Sequence, residues 1–359
     1  MRSTLKDISE KVGVSAATVS LVLNGKKGVG DEVRAKVLSV AKELNYPIRI
    51  NKGLDESQVK TRYKIHFLFE KLKTSPFADI FYGEILQGLE EEARINNCSV
   101  SFALVDRNEN FPQLISNLRS MDTDGLIIIG GGSITDKLLE IIRKKVSKPI
   151  LLLDNFVIGK KYNCVLVDNV IGGYQATKHL IENGHKDIGV IRGPKYYKSL
   201  IERFEGFLEA MDEFHLPVRK EWIIETDHGE YIKGYSEMKQ VLSQPRVPTA
   251  IFAISDKTAF GAMEAIRESG LNIPKDISII GFDDVHEARL TVPRLTTIRV
   301  PKMNIGRVAV DKIRSLIEKK DVIPSKTVLY IQLVVRETVG PPSKNSAREK
   351  IDGQNRHTK

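Results

Sequence analysis

Residues 13–25 read GVSAATVSLVLNG and decide the fold of the first part of the chain. Gly13 permits the tight turn before a helix, and Ser15 is a favourable N-cap for that helix. The helix is predicted to run to about Leu23, because Asn24-Gly25 is a turn-forming pair. A short helix entered and left through tight turns is typical of the recognition element of a DNA-binding helix-turn-helix.

Two further helices are predicted, one on each side of this segment. Thr4 and Asp7 have the spacing of a capping box, which predicts that a first helix begins at Leu5. A third helix is predicted from about Asp31 to Leu44. Apolar residues at helical spacing indicate that the three helices share one core. The residues expected to face inward are Leu5, Ile8, Val12, Val19, Val22, Leu23, Val33, Val37, Val40, Ala41 and Leu44.

The net charge of +9 over 359 residues is concentrated near the two ends of the chain. Residues 1–62 carry 12 Lys/Arg against 7 Asp/Glu, and residues 341–359 carry 5 against 2. The long middle region is therefore close to neutral. A basic N-terminal part attached to a neutral body is typical of a protein that binds an anionic partner such as DNA.

The segment TLKDISEKVGVSAATVSLVLNG, with the V-x-x-x-V-R-x-K-V-L-x-x-A-x-E-L-N-Y pattern that follows it, resembles the head of the LacI (lactose-repressor/galactose-repressor) family. The resemblance implies that the middle helix reads bases through Ala16 and Ala17, whose methyl groups favour contact with thymine methyl groups. Leu21 stands where relatives often carry a long polar reader. The resemblance also implies that Thr18, Ser20 and Asn24 hold the phosphate backbone. With Ser15, the predicted DNA-binding set in the head is Ser15, Ala16, Ala17, Thr18, Ser20, Leu21 and Asn24.

Residues 47–62, PIRINKGLDESQVKTR, have the composition of a flexible linker. In the family this stretch forms a hinge helix when two chains meet on DNA, and a leucine from each chain wedges into the minor groove. A one-residue deletion aligns Lys52-Gly53-Leu54 with the family's Arg-x-Leu. The resemblance therefore implies that Lys52 and Leu54 contact DNA, with Leu54 as the wedge, although Gly53 weakens a helix by roughly 1 kcal/mol relative to Ala.

From Tyr63 onward, short apolar runs alternate with amphipathic segments, which predicts parallel sheets covered by helices on both faces. The predicted strands are 64–69, 100–105, 125–130, 149–154, 188–193, 250–255 and 277–283. The predicted helices include 79–96, 171–182, 200–213, 232–243 and 259–269. The pattern resembles the family's periplasmic-binding-protein type I-like body of two doubly wound parallel-sheet subdomains.

The resemblance divides the chain into a head (1–46), a hinge (47–62), an effector-binding and dimerisation domain (63–338) and a disordered basic tail (339–359). The N-subdomain is expected to comprise about 63–167 and 294–322, and the C-subdomain about 168–293 and 323–338. The tail lacks the leucine heptads of a tetramer, so we expect a homodimer that pairs through helices such as 78–96 and 259–269.

Polar residues follow several predicted strands, where ligands bind in folds of this type. These residues are Asp154, Asn155, Asp227, His228, Asp256 and Asp283. The resemblance implies that Arg203, Asp256 and Asp283 contact an effector, with Phe77 and Asp79 at the opposite lip and Tyr197 and Ser199 at positions that vary with the ligand. Carboxylates and an arginine can hold vicinal sugar hydroxyls. Each Asp has an alternative interpretation as a helix cap or turn residue.

The remaining patterns exclude several classes of function. Cys98 and Cys164 are the only cysteines, and there is no Cys/His cluster for a metal and no apolar run long enough for a membrane span. The start of the chain lacks a signal peptide, so a cytoplasmic protein is expected. The sequence contains no catalytic nucleophile arrangement and no HExxH motif, so it does not predict an enzyme, and it contains no cofactor-binding motif. Gly130-Gly131-Gly132 lacks the spacing of a phosphate-binding loop and is interpreted as a tight turn.

The prediction is therefore a dimeric, DNA-binding regulator, more specifically a repressor, that responds to a small molecule. Abundant Asp and Arg without a clear base-stacking pair favours a sugar effector, and a purine is the alternative. A solute receptor of the transport type shares the body but has no need of the head. An enzyme built on the same two-subdomain body is the other rival.

Overall fold

The computed structural model describes residues 4–23, 29–44, 62–71, 79–106, 110–130, 134–225, 231–319 and 323–343. The chain divides into two compact units, Met1–Thr61 and Arg62–Lys359. The predicted hinge at 47–62 lies outside the described residues except for its last position, and so does the tail from 344 onward.

The first unit contains the three predicted helices. They are α1 (Leu5–Val12), α2 (Ala16–Leu23) and α3 (Asp31–Glu43). The capping box at α1 is formed: Thr4 N–H donates to Asp7 Oδ2 at 2.7 Å, and Asp7 N–H donates to Thr4 Oγ1 at 3.4 Å. Gly13 ends α1 in the left-handed conformation, with φ of 78°. Ile8, Val19 and the other predicted inward residues form one core.

The second unit has two lobes, and the first lobe is built on a six-stranded sheet. Its elements are β1 (Tyr63–Glu70), α4 (Tyr82–Ile95), β2 (Cys98–Val105), α5 (Phe111–Ser120), β3 (Gly125–Ile129), α6 (Asp136–Lys145), β4 (Ile150–Leu153), β5 (Asn163–Val167), α11 (Lys302–Glu318) and β11 (Lys326–Leu329). The strand order is β11-β5-β4-β3-β1-β2, and every pairing is parallel. This is the predicted doubly wound arrangement.

The second lobe is built on a four-stranded parallel sheet of order β7-β6-β8-β9. Its elements are α7 (Asn169–Glu182), β6 (Ile188–Arg192), α8 (Lys198–Glu213), β7 (Ile223–Glu225), α9 (Tyr231–Leu242), β8 (Ala250–Ala253), α10 (Asp256–Glu268) and β9 (Ser278–Ile280). A short antiparallel pair, β10 (Thr297–Arg299) with β12 (Gln332–Val334), completes the unit. All seven strands predicted from apolar runs are present.

The chain passes between the lobes three times, and two of the expected boundaries are shifted. The first crossover lies at Asp168, as expected. The second follows Arg299 rather than residue 293, because the backbone pairs with the second lobe through Asp283 and Arg299. The third follows Leu329 rather than residue 322, because β11 pairs with β5 of the first lobe. Pairing of β11 with β5, more than 150 residues away in the chain, decides the third boundary, whereas pairing of Arg299 with Asp283, 16 residues away, decides the second.

The expected start of the disordered tail, residue 339, is also wrong. The backbone at Gly340 is bound to the second lobe: its carbonyl accepts a hydrogen bond from Ser278 Oγ at 3.0 Å and lies 2.8 Å from His185 Nε2. His185 is buried, and its Nδ1 lies 2.9 Å from Thr249 Oγ1. This histidine, which follows Asn183-Gly184, therefore has a structural role.

Candidate DNA-reading surface and ligand cleft

The reading face of α2 is exposed and mostly apolar. Val19 and Val22 are buried in the core of the head, and this orientation leaves Ala16 and Ala17 exposed to solvent. Leu21 is 37% exposed. Since methyl groups and a leucine offer no hydrogen bonds to base edges, this face favours contact with thymine methyl groups.

The polar residues at the start of α2 support the helix itself. Ser15 Oγ accepts a hydrogen bond from the Thr18 N–H at 3.1 Å, as an N-cap should. The two hydroxyl oxygens of Ser15 and Thr18 lie 2.8 Å apart. Ser20 is half-buried on the same helix. Three members of the predicted DNA-binding set, Asn24, Lys52 and Leu54, lie outside the described residues.

In the second unit, side chains near the carboxyl ends of the two parallel sheets contact each other between the lobes, and this region is called the cleft below. Tyr197, at the start of α8, donates from its hydroxyl to Glu70 Oε2 at the end of β1 over 3.1 Å. Lys257, in the first turn of α10, donates to Asp79 Oδ2 ahead of α4 over 2.6 Å. These contacts close the cleft from both lobes, so that polar side chains from each side lie close together.

The carboxylate of Asp79 makes two sets of contacts at the rim of this cleft. Its Oδ1 accepts hydrogen bonds from the backbone N–H groups of Phe81 and Tyr82, at 2.9 and 3.1 Å, and so caps the start of α4. Its Oδ2 receives the Lys257 ammonium of the opposite lobe. The predicted lip residue is therefore also a contact between the lobes.

Arg203 anchors the floor of the cleft on the second lobe and is only 3% exposed. Its guanidinium lies 3.0 Å from Asp283 Oδ1 and donates to Asn169 Oδ1 at 3.1 Å and to the Ile254 carbonyl at 2.9 Å. It also stacks at 3.7 Å over the ring of Phe282. A guanidinium held from four directions presents a fixed geometry to any ligand above it.

Gly173 allows this arrangement by bringing α7 and α8 together. A Cβ at Gly173 would lie 2.0 Å from the backbone oxygen of Arg203. No larger residue fits there without moving the helix that carries the arginine.

Asp283 and Asp284 form a corner after β9 in an unusual backbone conformation. Their φ angles are 118° and 48°, in the region that L-residues other than glycine rarely adopt. Asp284 turns inward, where Arg299 and Arg336 donate to its carboxylate. Burial would raise the pKa of Asp284, but these hydrogen bonds hold it below its usual value. Burial raises the pKa of Asp283, although Arg203 opposes the rise.

Asp154 also faces this cluster and has a titration range close to neutrality. Burial raises its pKa to about 7, against the attraction of Arg203 and with the repulsion of Asp283 and Glu202. Tyr82 is nearby: burial, together with the charges of Asp154 and its neighbours, raises the pKa of its hydroxyl well above the usual value. A carboxyl group that can be neutral or charged near pH 7 can donate or accept hydrogen bonds to a ligand.

Three predicted cleft residues are buried, and two of them are engaged within their own lobes. Asp256 is fully buried, and its two oxygens accept hydrogen bonds from the Val285 N–H and the Thr297 hydroxyl. Asn155 donates to the Gly130 carbonyl and accepts from the Phe156 N–H. Ser199 is buried near the start of α8. Phe77, Asp227 and His228 lie outside the described residues.

Sequence reasoning missed four cleft residues: Glu70, Tyr82, Lys198 and Lys257. Glu70 ends an apolar strand, which is a signal of the same kind that identified Asp154. Lys198 bridges the lobes by donating to Asp136 Oδ1 at 2.7 Å and to the Phe156 carbonyl. Lysines in a first helical turn carry no such signal, because their partners belong to the other lobe.

Two negative observations apply to the described parts of the chain. Within them, no group of three or more His, Cys, Asp or Glu side chains is placed to hold a metal ion. None of the helices in the described ranges is long and apolar enough to cross a membrane.

Comparison with known families matches both units. Residues 4–47 match the family described as bacterial regulatory proteins, lacI family, and residues 177–339 match the periplasmic binding protein-like domain. The ribose operon repressor of Haemophilus influenzae is 32% identical over 339 residues, covering 94% of this chain and 98% of that protein. The HTH-type transcriptional repressor PurR of Actinobacillus pleuropneumoniae serotype 3 is 35% identical over 344 residues, with coverage of 94% and 98%.

Among solved structures, the chain is similar to the lac repressor dimer bound to operator and the anti-inducer ONPF. The TM-score is 0.69 at 27% identity, and the match covers 95% of this chain and 100% of that chain. The similarity therefore extends over the head, the lobes and their order in the chain.

Proposed function

This chain belongs to the LacI family of DNA-binding transcriptional repressors, and we propose that a small sugar bound between the lobes controls its affinity for operator DNA. The observation that carries the proposal is the cluster of Asp154, Arg203 and Asp283 at the meeting edges of two parallel sheets. Ligands bind at such edges in open α/β folds.

The chemistry of the cleft supports a neutral, polyhydroxylated ligand. The carboxylates of Asp79, Asp154 and Asp283 can accept hydrogen bonds from hydroxyl groups, while Arg203 can donate to the same ligand. The rings of Tyr82 and Tyr197 lie near these groups and can cover the apolar face of a pyranose or furanose. We assign Asn155, Ser199 and Asp256 supporting roles, because their polar groups serve the lobes themselves or are buried.

A purine is the second candidate ligand, and the 35% identity to the PurR repressors favours it. The two tyrosines that would cover a sugar could instead stack on a base. The relative named for the ribose operon supports the sugar. Similarity to known repressors therefore does not decide between a sugar and a purine, and an experiment is needed.

We propose that the protein acts on DNA as a homodimer, as the operator-bound lac repressor does. Each head would place α2 in one half-site of a pseudo-palindromic operator. A ligand that changes the closure of the lobes would change the spacing of the paired linkers. A coupling of roughly 1–3 kcal/mol would shift the operator affinity about 5- to 150-fold.

Thermal-shift measurements on the full chain test the ligand. Ribose, other mono- and oligosaccharides, hypoxanthine and guanine are each added, and a ligand at about 100 times its Kd stabilises by roughly 2.7 kcal/mol. We expect a sugar to stabilise the protein and Asp154→Ala to remove the effect. Glu337→Gln, in a surface ion pair, should retain it. If only a purine stabilised the protein, the ligand would be a purine and not a sugar. If no compound stabilised it, both candidate ligands would be contradicted.

Selection of operators from random duplexes tests the DNA-reading face. Leu21→Arg should change the preferred base at one position of each half-site by adding a bidentate donor. Leu38→Arg is a matched control, because Leu38 on α3 is equally exposed at 36% and lies off the reading helix. If the Leu21→Arg variant and the unaltered protein selected the same bases, α2 would not be the helix that reads them.

A further inference from the structure

Lys302 lies where the chain leaves the second lobe and begins α11 of the first lobe. It is 3% exposed, which is unusual for a lysine. Its ammonium donates to the backbone carbonyls of Asp283 at 2.8 Å and of Asp284 at 3.0 Å. On its other side it lies 3.4 Å from Glu84 Oε1 on α4. One buried cation therefore joins the aspartate corner of the second lobe to two helices of the first.

The corner is held from both lobes at once. Within the second lobe, the carboxylate of Asp283 faces Arg203 at the floor of the ligand cleft. The carbonyl groups on the other side of the same backbone point to Lys302. A ligand that moves the backbone of this corner would therefore disturb hydrogen bonds that end on α11.

The helices that receive this contact are packed directly against each other. A Cβ at Gly88 of α4 would lie 2.1 Å from the Met303 backbone oxygen of α11, so the two helices are in direct backbone contact. The start of α4 is also capped by Asp79, which pairs with Lys257 of the second lobe. The paired helices α4 and α11 thus meet the ligand-facing side of the second lobe at two points.

A buried ammonium is costly unless its partners compensate for the lost water. Two carbonyls and one carboxylate provide that compensation here, and the two carbonyls belong to the aspartate corner. If the corner withdrew, the lysine would be left with Glu84, so the position of the corner and the position of α11 are energetically linked.

We propose that Lys302 is the positioning residue that transmits the state of the ligand cleft to the first lobe. This inference rests on the proposed function, since it concerns how the cleft controls operator affinity. It assigns to Lys302 a role in coupling, separate from any contact with the ligand or with DNA.

A double-mutant cycle read out by operator affinity tests the proposal without requiring a known ligand. Asp283→Asn perturbs the cleft in the full chain, and the operator Kd is measured by fluorescence anisotropy on a duplex selected from a random library. We expect Asp283→Asn to change the Kd at least about 5-fold in the unaltered background. In the Lys302→Met and Lys302→Gln backgrounds the same substitution should change the Kd less than about 2-fold.

Lys302→Arg keeps the charge and the donors, and it should keep the response to Asp283→Asn. Thermal unfolding identifies variants that fold, and two neutral substitutions are used because one of them could destabilise α11. An equal fold-change in all backgrounds, or no response to Asp283→Asn in any, overturns the role of Lys302. The proposed function has its own readout: it fails if the unaltered protein selects no operator, or if no sugar or purine changes its affinity for one, and this inference then fails with it.

Discussion

Replacing Arg203 with leucine should destabilise the second lobe strongly, and the loss should depend on pH. The guanidinium is buried and holds Asp283, Asn169 and the Ile254 carbonyl at 2.9–3.1 Å. Removing one partner of a buried ion pair costs about 3–5 kcal/mol, because the other charge is left uncompensated. We therefore expect Arg203→Leu to lower the free energy of unfolding of this lobe by that amount near pH 8.

The pH dependence follows from the Asp283 carboxyl group. Its folded-state pKa is already raised by burial and is held down by Arg203, so it rises further when Arg203 is removed. A folded state with a raised carboxyl pKa binds more protons than the unfolded state, so stability falls as pH rises from about 4 toward the new pKa. The deficit of Arg203→Leu should therefore be smaller at pH 5 than at pH 8.

Trp222 provides the assay, since it is the only tryptophan of the chain and is buried in the second lobe. Urea unfolding followed by its fluorescence reports on this lobe at each pH. Arg294→Leu is the matched control: its pair with Glu337 is exposed, and its loss should change stability far less than the loss of Arg203. Adding Asp283→Asn to Arg203→Leu should recover part of the stability. If Arg203→Leu lowered the free energy of unfolding by less than about 1 kcal/mol, or by the same amount at every pH, the reasoning would be refuted.

Three further predictions concern single substitutions. Asp154→Asn should raise stability more at pH 8 than at pH 5 in urea unfolding followed by far-UV circular dichroism, which reports on both lobes, because the raised pKa of about 7 makes the native carboxylate unfavourable as pH rises from about 4 to about 7; an equal effect at both pH values would contradict this. Gly173→Ala should destabilise the second lobe by about 1–3 kcal/mol, since its Cβ would meet the Arg203 backbone; unchanged Trp222-monitored unfolding would show that the helices separate freely. Thr4→Ala should lose about 1 kcal/mol of helix stability and speed amide exchange in Leu5–Val12, whereas Thr4→Ser should keep the cap; equal exchange in both variants would exclude the capping box as a support.

The head was predictable from sequence because its signals are local. Thr4, Asp7, Gly13 and Ser15 act on backbone groups within four residues of themselves, and the apolar spacing of three short helices allows one core. Seven strands of the body were predictable for a similar reason, since each is a short apolar run, whereas β5 is also buried and was not predicted.

The boundaries between the lobes were not predictable in this way. β11 belongs to the first lobe only because it pairs with β5, which lies far away in the chain. In the cleft, the sequence identified polar residues at the ends of predicted strands, but it did not show where their side chains point. Asp154 lies near enough to Arg203 for their charges to interact, whereas Asp256 turns inward to Val285 and Thr297, and the difference depends on contacts between distant segments.

The central claim is that ligand in the cleft controls binding of the head to DNA. Its most direct test is the operator Kd of the full chain, measured by fluorescence anisotropy with and without a sugar that stabilises the protein. The account predicts a shift of about 5- to 150-fold that Asp154→Ala, a substitution at the cleft, abolishes while operator binding without sugar is retained. An operator Kd that stays the same at saturating sugar would contradict it.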